Sequence, residues 1–471
     1  MKTKIFFLLS IIIGVIILTS LNNNSDIQKK PNIIFIAVDD LRPQLNCYGK
    51  SQIISPNIDY LASNSYTYEN AVCNFPVCGA SRASLLTGLR PNKNRFKSFR
   101  TRMDEDADDF LTIGEWFKSN DYFTLSLGKI SHHTNDSPES WSIPAWRGEK
   151  NWRDYQTNEN IFAAKTNNNN GAAKAFEIGE NLYDDYGDTK MVNKAIEKLD
   201  ELTLKEQPFF MALGFLKPHL PFNAPKKYWD LYNEKDIELA SNRYQPKNSP
   251  DISMHKYGEL RKYTNIPSDF NLDVPDSTQK KLIHGYYACV SYIDDEIGKL
   301  IKHLKKLEIY DNSIIVLWGD HGWQLGEHNL WAKHCNYQTS LKVPLLIKYP
   351  KQKTQKRIRT VVELLDIYPT LCELSNIDKP NHLQGKSLLT INKLDPENLN
   401  GYTKYHKGET VTTTEKSYTE WRNKDNNYLK ANMMYDLVKD PDENTNISKN
   451  KKNTPSILKF QYLLDSVRLL D

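Results

Sequence analysis

Short apolar runs that end in polar or charged residues most constrain the fold of this 471-residue chain. Each run is too short for a typical helix and rich in branched or aromatic residues, which predicts a buried strand of a parallel sheet. The runs span residues 31–38, 122–127, 208–213, 312–318 and 343–349. Helical patterns accompany them at 112–119, 190–202, 279–307 and 362–375. This alternation predicts an α/β fold with a central, mostly parallel sheet flanked by helices.

Four of these runs are followed by side chains that can bind a metal ion, bind an anion or transfer a proton. These residues are Asp39-Asp40, Lys129, His219 and Asp320-His321. Because ligands of open α/β sheets bind beyond the carboxyl ends of the strands, we expect one site along a single sheet edge. Taken alone, the Asp39-Asp40 pair would favour a turn with solvated carboxylates, so the recurrence at four strand ends carries the prediction.

A second constraint is the stretch Cys78-Gly79-Ala80-Ser81-Arg82, followed by Thr87-Gly88. This C-x-A-S-R core with its later Thr-Gly resembles the signature of type I sulfatases, with alanine where proline is more common. In that family the cysteine is oxidised to formylglycine. The resemblance runs from residue 31 to near the C-terminus, is closest to the iduronate 2-sulfatase-like branch, and implies the alkaline-phosphatase-like sulfatase fold. It is carried by V-D-D-L-R-P at 38–43, K-P-H-L-P-F at 217–222, G-D-H-G-W-Q-L-G-E-H at 319–328 and W-A-K-H at 331–334.

The resemblance also implies a metal site. Its ligands would be Asp39, Asp40, Asp320, His321 and the modified Cys78. Three carboxylates and an oxygen of the nucleophile suit one hard divalent cation, and Ca²⁺ is our prediction. The cation would bind a sulfate oxygen and lower the pKa of the nucleophile. The alternative interpretation is an unmodified, structural Cys78, since buried cysteines are common.

The residues predicted to act in catalysis are Cys78, Arg82, Lys129, His132, His219 and Lys333. Cys78 is expected to begin a helix that runs to Leu86, where exposed N–H groups favour an anion. Arg82 would lie on the same helical face.

The resemblance implies a covalent mechanism for these residues. One hydroxyl of the formylglycine hydrate attacks sulfur, and His219 or Lys333 protonates the leaving alcohol. His132, with His133 as a rival, removes the proton of the second hydroxyl, which expels sulfate and restores the aldehyde. Arg82 and Lys129 stabilise the developing charge, and Lys129 binds sulfate.

A sulfated carbohydrate is the predicted substrate. The candidate contacts are Lys129, His219, Trp323, His328, Lys333 and His334, although an aromatic ring there could equally belong to the core. An algal polymer such as ulvan is our first prediction, followed by glycosaminoglycans and carrageenan. Two other classes stay open, a phosphatase or phosphonate monoester hydrolase of the same superfamily and a non-catalytic carbohydrate-binding relative. The C-x-A-S-R core argues against the first, and the reactive residue at every matched position argues against the second.

The two ends of the chain differ from its centre. Residues 1–24 carry Lys2, Lys4 and an apolar run at 5–18, typical of a secretory signal, although a weak cleavage site also allows an uncleaved anchor. Residues 30–392 form the predicted catalytic domain, and residues 393–471 a smaller α+β domain with an antiparallel sheet. Its predicted strands are 410–414, 416–421 and 428–432, before a helix at 456–470. The irregular insertions at 134–185 and 222–275 either line the substrate cleft or decorate the surface.

Composition limits the partners. A hydrophobic content of 39% fits a globular enzyme, and a net charge of only +4 gives no reason to expect nucleic-acid binding. The signal predicts export, to the periplasm or outside the cell, with a membrane partner only if it stays uncleaved. A formylglycine-generating enzyme would be the maturation partner. The six cysteines lack the spacing of a zinc site and allow no assignment of a disulfide.

Overall fold

The structure is a computed structural model that describes residues 30–148, 152–166, 171–179, 185–394, 399–423 and 428–469. The predicted signal, residues 1–24, lies outside these ranges. Within them, no helix is both long and apolar enough to cross a membrane. All six cysteines fall inside the described ranges, where they are buried and unpaired.

The described residues form strands and helices along the whole chain. The strands are β1 (Ile33–Val38), β2 (Tyr66–Val72), β3 (Phe123–Gly128), β4 (Phe176–Gly179), β5 (Phe209–Phe215), β6 (Phe222–Pro225), β7 (Ile314–Gly319), β8 (Gln324–Leu325), β9 (Trp331–Ala332), β10 (Lys342–Val343), β11 (Leu345–Lys348), β12 (Lys356–Glu363), β13 (Gly401–Tyr405), β14 (Gly408–Thr412), β15 (Lys416–Arg422) and β16 (Leu429–Asp436). The α-helices are α1 (Pro56–Ser63), α2 (Cys78–Thr87), α3 (Met103–Asp106), α4 (Ile113–Ser119), α5 (Asn158–Thr166), α6 (Gly187–Leu202), α7 (Lys226–Trp229), α8 (Asp276–Lys306), α9 (Gln338–Leu341), α10 (Ile367–Leu374), α11 (Leu388–Ile391) and α12 (Thr454–Arg468).

The central sheet has eight strands among the described residues, in the order β10-β2-β11-β7-β1-β5-β3, with β12 paired to β2. Strands β7, β1, β5 and β3 run parallel to one another. Val38, the last residue of β1, pairs with both Phe215 and Gly319, the last residues of β5 and β7. The carboxyl ends of these strands are therefore level, so the residues that follow them meet at one edge.

Both faces of the sheet are covered. Alternate residues of β1 enter two different cores, with Ile34 and Ile36 in one and Ile33 and Phe35 in the other. Helices α6 and α8 contribute to the first core, and α2, α4 and α10 to the second. The predicted α/β fold, with helices on both faces of a mostly parallel sheet, is confirmed.

The other edge of the sheet departs from the prediction. Strand β11 runs antiparallel to β7 and β2, and Pro344, which has no N–H to donate, separates it from β10. The helix predicted at 362–375 is wrong only at its first two residues, where β12 pairs parallel to β2 up to Glu363. A 3-10 turn at Leu364–Asp366 then leads into α10, which begins at Ile367. Neither β2 nor β12 was predicted from the sequence.

A second, antiparallel sheet is formed near the C-terminus by β13-β14-β15-β16, with α12 packed against it. The strands predicted at 410–414, 416–421 and 428–432 correspond to β14, β15 and β16, whereas β13 was not predicted. Hydrogen bonds tie β13 to the central sheet and to the segment that follows β2. Tyr402 N donates to Glu363 Oε1 at 2.5 Å, and Thr403 Oγ1 donates to Cys73 O at 2.6 Å.

Candidate active site

A cleft of about 810 Å³ opens at the carboxyl ends of β1, β3, β5 and β7. Both irregular insertions line it, through Arg147, Trp152, Arg153, His255, Glu259, Lys262 and Tyr263. The prediction that these insertions line a cleft is confirmed. Beneath the cleft lies a buried group that we call the floor, made of Asp39, Asp40, Cys78, Arg82, Asp320 and His321.

Asp39 and Asp40 begin the turn that follows β1. Asp40 adopts a φ of 63°, and its N–H donates to Asp320 Oδ1 at 3.0 Å, which holds the turn against the end of β7. The Asp39 carboxylate pairs with the Lys129 ammonium, and its Oδ1 lies 3.5 Å from Arg82 Nη2. Burial alone would raise the pKa of Asp39, but Lys129 and Arg82 hold it well below its usual value. Asp39 is therefore an ionised carboxylate in a dry site.

His321 has its ring orientation fixed by the chain next to it. Its Nδ1 lies 3.0 Å from Gly322 O, so we assign the proton to Nδ1, which donates to that carbonyl. The Nε2 lone pair is then directed into the floor, 3.4 Å from Cys78 Sγ and 3.3 Å from Asp40 Oδ1. A histidine held in this way is arranged as a metal ligand.

The floor fits a divalent cation. Ligand atoms of Asp39, Cys78, Asp320 and His321 all lie within 4.8 Å of one another. Asp39 Oδ1 is buried and accepts no hydrogen bond from the described residues, which leaves it available to a ligand. Carboxylate oxygens with one imidazole suit a divalent cation of hard or intermediate character. The structure thus brings four of the five predicted ligands together, while Asp40 groups with Cys78 and His219 and lies 3.3 Å from His321 Nε2.

Helix α2 begins at Cys78, as predicted, and is buried throughout. Ser81 Oγ donates to Asp320 O at 2.5 Å, which anchors the first turn to the end of β7. Arg82 lies one turn after Cys78, where its Nε bonds to Asp320 Oδ2 at 2.8 Å and its Nη1 donates to Lys129 O. Burial raises the pKa of the Cys78 thiol. Arg82 thereby connects the ends of β7, β1 and β3.

Lys129 and His132 follow β3. Gly128 adopts a φ of 72°, and a side chain there would collide with the backbone of Gly214, so the two strand ends can approach closely. Lys129 N donates to Gly214 O at 2.7 Å, and the ammonium pairs with Asp39. Burial and the charge of Lys129 lower the pKa of His132 to about 2. His132 is therefore a neutral imidazole, and it lines the cleft.

His219 and Lys333 meet beside Asp40. Lys333 Nζ lies 3.0 Å from Asp40 Oδ1, and His219 Nε2 lies 3.9 Å from Asp40 Oδ2. Glu259 Oε1 bridges the pair, at 3.3 Å from His219 Nε2 and 3.1 Å from Lys333 Nζ. Burial alone would lower the pKa of His219, but the carboxylate of Asp40 contributes to raising it to about 9. His219 is therefore a proton donor at neutral pH.

Glu259 is the residue beside His219 and Lys333 that sequence reasoning missed. It belongs to no motif, and the only sign of it was the prediction that residues 222–275 line the cleft. Its Oε2 is buried and accepts no hydrogen bond from the described residues, while His334 Nδ1 lies 3.7 Å away. Glu259 thus presents an unused acceptor next to two catalytic candidates.

Two of the predicted sugar contacts are not in the cleft. His328 is 1% exposed, and its Nε2 lies 2.8 Å from Asp442 O. Trp323 is also 1% exposed, and its ring lies 4.9 Å from Lys333 Nζ. Both predictions are corrected, because the surrounding chain covers these two rings. Trp323 packs against the Lys333 ammonium on the side away from the cleft. His334 does line the cleft, together with Lys129, His219 and Lys333.

Comparison with known proteins agrees with this geometry. Residues 31–377 match the sulfatase family, and residues 326–468 match the family described as N-sulphoglucosamine sulphohydrolase, C-terminal. The chain is 33% identical over 386 residues to the iduronate 2-sulfatase of Homo sapiens, covering 74% of this chain and 70% of that protein. The chain belongs to the sulfatase family. This sulfatase is also 28% identical over 377 residues to the ulvan-active sulfatase of Formosa agariphila, covering 78% of this chain and 66% of that protein.

Solved structures share the fold of the sulfatase. One is a protein in complex with its substrate D-glucosamine-2-N,6-O-disulfate, with a TM-score of 0.75, 22% identity and coverage of 93% of this chain and 98% of that one. Another is the phosphonate monoester hydrolase of Agrobacterium radiobacter, with a TM-score of 0.75, 20% identity and coverage of 93% and 96%. At these identities the likeness shows the fold alone. Membership of the sulfatase family makes the chain a sulfuric ester hydrolase and sets the non-catalytic alternative aside.

Proposed function

We propose that this sulfatase hydrolyses sulfate esters of a sulfated oligo- or polysaccharide and releases inorganic sulfate. One observation carries the proposal, the position of Cys78 at the start of a buried helix. Its Sγ lies 3.4 Å from His321 Nε2 and within 4.8 Å of a carboxylate oxygen of Asp39 and of Asp320. Position 78 is therefore the point where a nucleophile, a cation and anion-binding groups would meet. The activities named for iduronate 2-sulfatase and ulvan-active sulfatase support a carbohydrate substrate.

Conversion of Cys78 to formylglycine would supply a hydrated aldehyde at this point, one hydroxyl of which gives its proton to a carboxylate of the floor and attacks sulfur. In that attack a new S–O bond forms as the bond from sulfur to the sugar oxygen breaks. Arg82 and Lys129 hold positive charge beside position 78 and stabilise the negative charge that develops. His132 then accepts the proton of the second hydroxyl, so that sulfate leaves and the carbonyl returns.

The sugar oxygen needs a proton as it leaves. His219 and Lys333 lie on the side of Asp40 that faces the cleft, and either can donate to that oxygen. Glu259 positions both cations through one carboxylate oxygen. A divalent cation, Ca²⁺ in our proposal, would be held by Asp39, Asp40, Asp320, His321 and position 78, and when bound it supplies charge that favours the attack.

The lining of the cleft supports an anionic sugar. Arg147, Arg153 and Lys262 line it, and Glu259 is the only acid among the described lining residues. We rank ulvan first as the substrate, then glycosaminoglycans and carrageenan. We further propose that residues 1–24 export the protein to the periplasm or out of the cell, and that a formylglycine-generating enzyme acts on it.

The test is sulfate release from a panel of defined sulfated oligosaccharides, with the protein co-produced with a formylglycine-generating enzyme. We expect release from one class of oligosaccharide and none from the Cys78→Ala variant. If mass spectrometry shows formylglycine at position 78 and no oligosaccharide is cleaved, the carbohydrate proposal is wrong. Faster turnover of 4-nitrophenyl phosphate than of 4-nitrophenyl sulfate would support the phosphatase alternative instead.

A further inference from the structure

A second cavity, of about 670 Å³, opens beside the cleft. The two share His255, His334 and Tyr405 as lining residues. The other walls of this second pocket include residues 92–97, residues 252–254, the turn between β13 and β14, and the end of β15. A ligand longer than one sugar residue can therefore extend from the floor of the cleft into the second pocket.

Part of the charge in the second pocket is already paired within its walls. Glu409 is the only acid among the described residues that line it. Lys404 Nζ lies 2.7 Å from Glu409 Oε1, and Arg468 Nε donates to Glu409 Oε2 at 2.7 Å. Arg422 Nε lies 2.5 Å from Glu420 Oε1. These contacts are structural, since each cation has a carboxylate of the fold as its partner.

Lys93, Lys97 and Lys407 differ from those cations. All three line the second pocket and are exposed, and none has a hydrogen bond or ion pair with its side chain in the described part of the protein. They come from two segments distant in sequence, the 92–97 segment and the β13–β14 turn, that converge on one cavity. Three unpaired ammonium groups around one concave surface concentrate positive potential there. These ammonium groups are therefore available to an anion.

We propose that the second pocket binds an anionic group, a sulfate ester or a carboxylate, on a sugar residue next to the one whose ester is cleaved. The inference rests on the proposed function and narrows its substrate to a polyanionic oligosaccharide, as opposed to an isolated sulfated monosaccharide. Tyr405 stands where cleft and second pocket join, with its ring 5.7 Å from that of Phe75. An aromatic ring at this junction offers an apolar face to the sugar that spans it.

The experiment measures affinity as a function of ligand length. The full chain with Cys78→Ala, which lacks the nucleophile, is titrated by calorimetry with a sulfated monosaccharide and with the disaccharide and tetrasaccharide that extend it. We expect the extended ligands to bind about tenfold tighter, equal to about 1.4 kcal/mol. The triple substitution Lys93→Gln, Lys97→Gln and Lys407→Gln is expected to abolish that gain. The matched control carries Lys235→Gln, Lys302→Gln and Lys306→Gln, three exposed positions that line neither cavity. It is expected to keep the gain in affinity with ligand length.

Two series of ligands distinguish the anion. In one series the neighbouring sugar carries only a sulfate ester, and in the other only a carboxylate. A gain in either series that the triple substitution removes supports the proposal and identifies the group. A gain that persists in the triple variant, or that the control loses equally, overturns it.

Turnover of 4-nitrophenyl sulfate by the formylglycine-containing enzyme separates the two proposals. This ester is too small to reach the second pocket, so we expect equal kcat/KM for the unsubstituted enzyme and the triple variant. No turnover of any sulfate ester by the unsubstituted enzyme would reject the proposed function. Normal turnover without any gain in affinity from ligand length would reject the second pocket alone.

Discussion

The floor of the cleft and the second pocket carry charge in opposite ways. Asp39, Arg82 and Asp320 are fully buried and are paired within the floor, whereas Lys93 and Lys407 are exposed and unpaired in the described structure. Buried charges persist only as a set, because removal of one leaves its partner desolvated and unpaired. Exposed charges keep their water whatever their neighbours are. Substitutions in the floor should therefore affect folding and chemistry together, and those in the second pocket only the ligand.

The largest expected effect is on stability, from Arg82→Gln. Asp39 and Asp320 would lose a buried partner, and we expect the free energy of unfolding to fall by about 3–5 kcal/mol. Urea denaturation after dialysis against a chelator measures it, so that no cation substitutes for the guanidinium. The control is Lys226→Gln, which breaks an exposed pair with Asp230 and should cost less than about 1 kcal/mol. Equal losses would contradict the comparison.

The next prediction concerns the pH dependence of stability and rests on Glu443, a buried carboxylate that has no ion pair within the described residues. It accepts hydrogen bonds from Gln338 N at 2.6 Å and Ser417 Oγ at 2.8 Å, and burial raises its pKa to about 7 from 4.5. The pKa of Glu443 is higher in the folded protein than in the unfolded chain, so the folded protein binds this proton more tightly. The resulting contribution to the free energy of unfolding is complete below about pH 4.5 and is lost as the pH rises through about 7. We expect the free energy of unfolding to fall by up to about 3 kcal/mol over that window, and Glu443→Gln to flatten the curve. Identical pH curves for both proteins would refute the assignment.

Glu259→Gln probes the catalytic side of the cleft. His219 and Lys333 lose the charge that holds them together, so we expect kcat for an alkyl sulfate ester to fall about tenfold, or about 1.4 kcal/mol in the barrier. The fall should be smaller for an aryl sulfate, whose acidic phenol needs less protonation to leave. Glu259→Asp keeps the charge and should recover part of kcat. An equal loss with both esters would exclude a positioning role in proton transfer.

The smallest expected effect comes from Trp323→Phe. We expect a loss of about 1 kcal/mol in the free energy of unfolding, because the ring contact with Lys333 is weakened. KM should stay unchanged, since Trp323 lies outside the cleft. A several-fold rise in KM for the oligosaccharide would show that the original prediction of a sugar contact was right.

Most of the floor was predictable because it depends on two local patterns. A continuous apolar run such as 31–38 indicates a parallel strand, and the residues after it must lie at the carboxyl edge of the sheet. The motif around Cys78 adds a helix start, which the structure confirms. Together these patterns bring Asp39 and Asp320 of the floor, and Lys129 and His219 beside it, to one edge without any knowledge of long-range contacts.

Glu259 and the second pocket were not predictable in this way. Glu259 lies in a segment with little regular structure, so no periodicity indicates its path. The second pocket forms only where the 92–97 segment meets a turn of the C-terminal sheet, and β13 itself was missed. The prediction of His328 as a sugar contact was wrong for the opposite reason, since this residue lies in a strong motif. Its backbone has a φ of 56°, and its ring packs near Tyr337, away from the cleft. A motif indicates which residues are near a site and not which way each side chain points.

The pairing of β1 with β7 also affects when Cys78 becomes buried during synthesis of the chain. β1 is made early, but its neighbour β7 comes from much later in the chain, and such distant pairing is slow. Until β7 has been made, the segment around Cys78 lacks Asp320, whose carbonyl accepts the hydrogen bond from Ser81 Oγ in the folded protein. Afterwards Cys78 is 3% exposed. If an enzyme converts Cys78, we therefore expect the thiol to be easier to reach before the sheet is complete than afterwards.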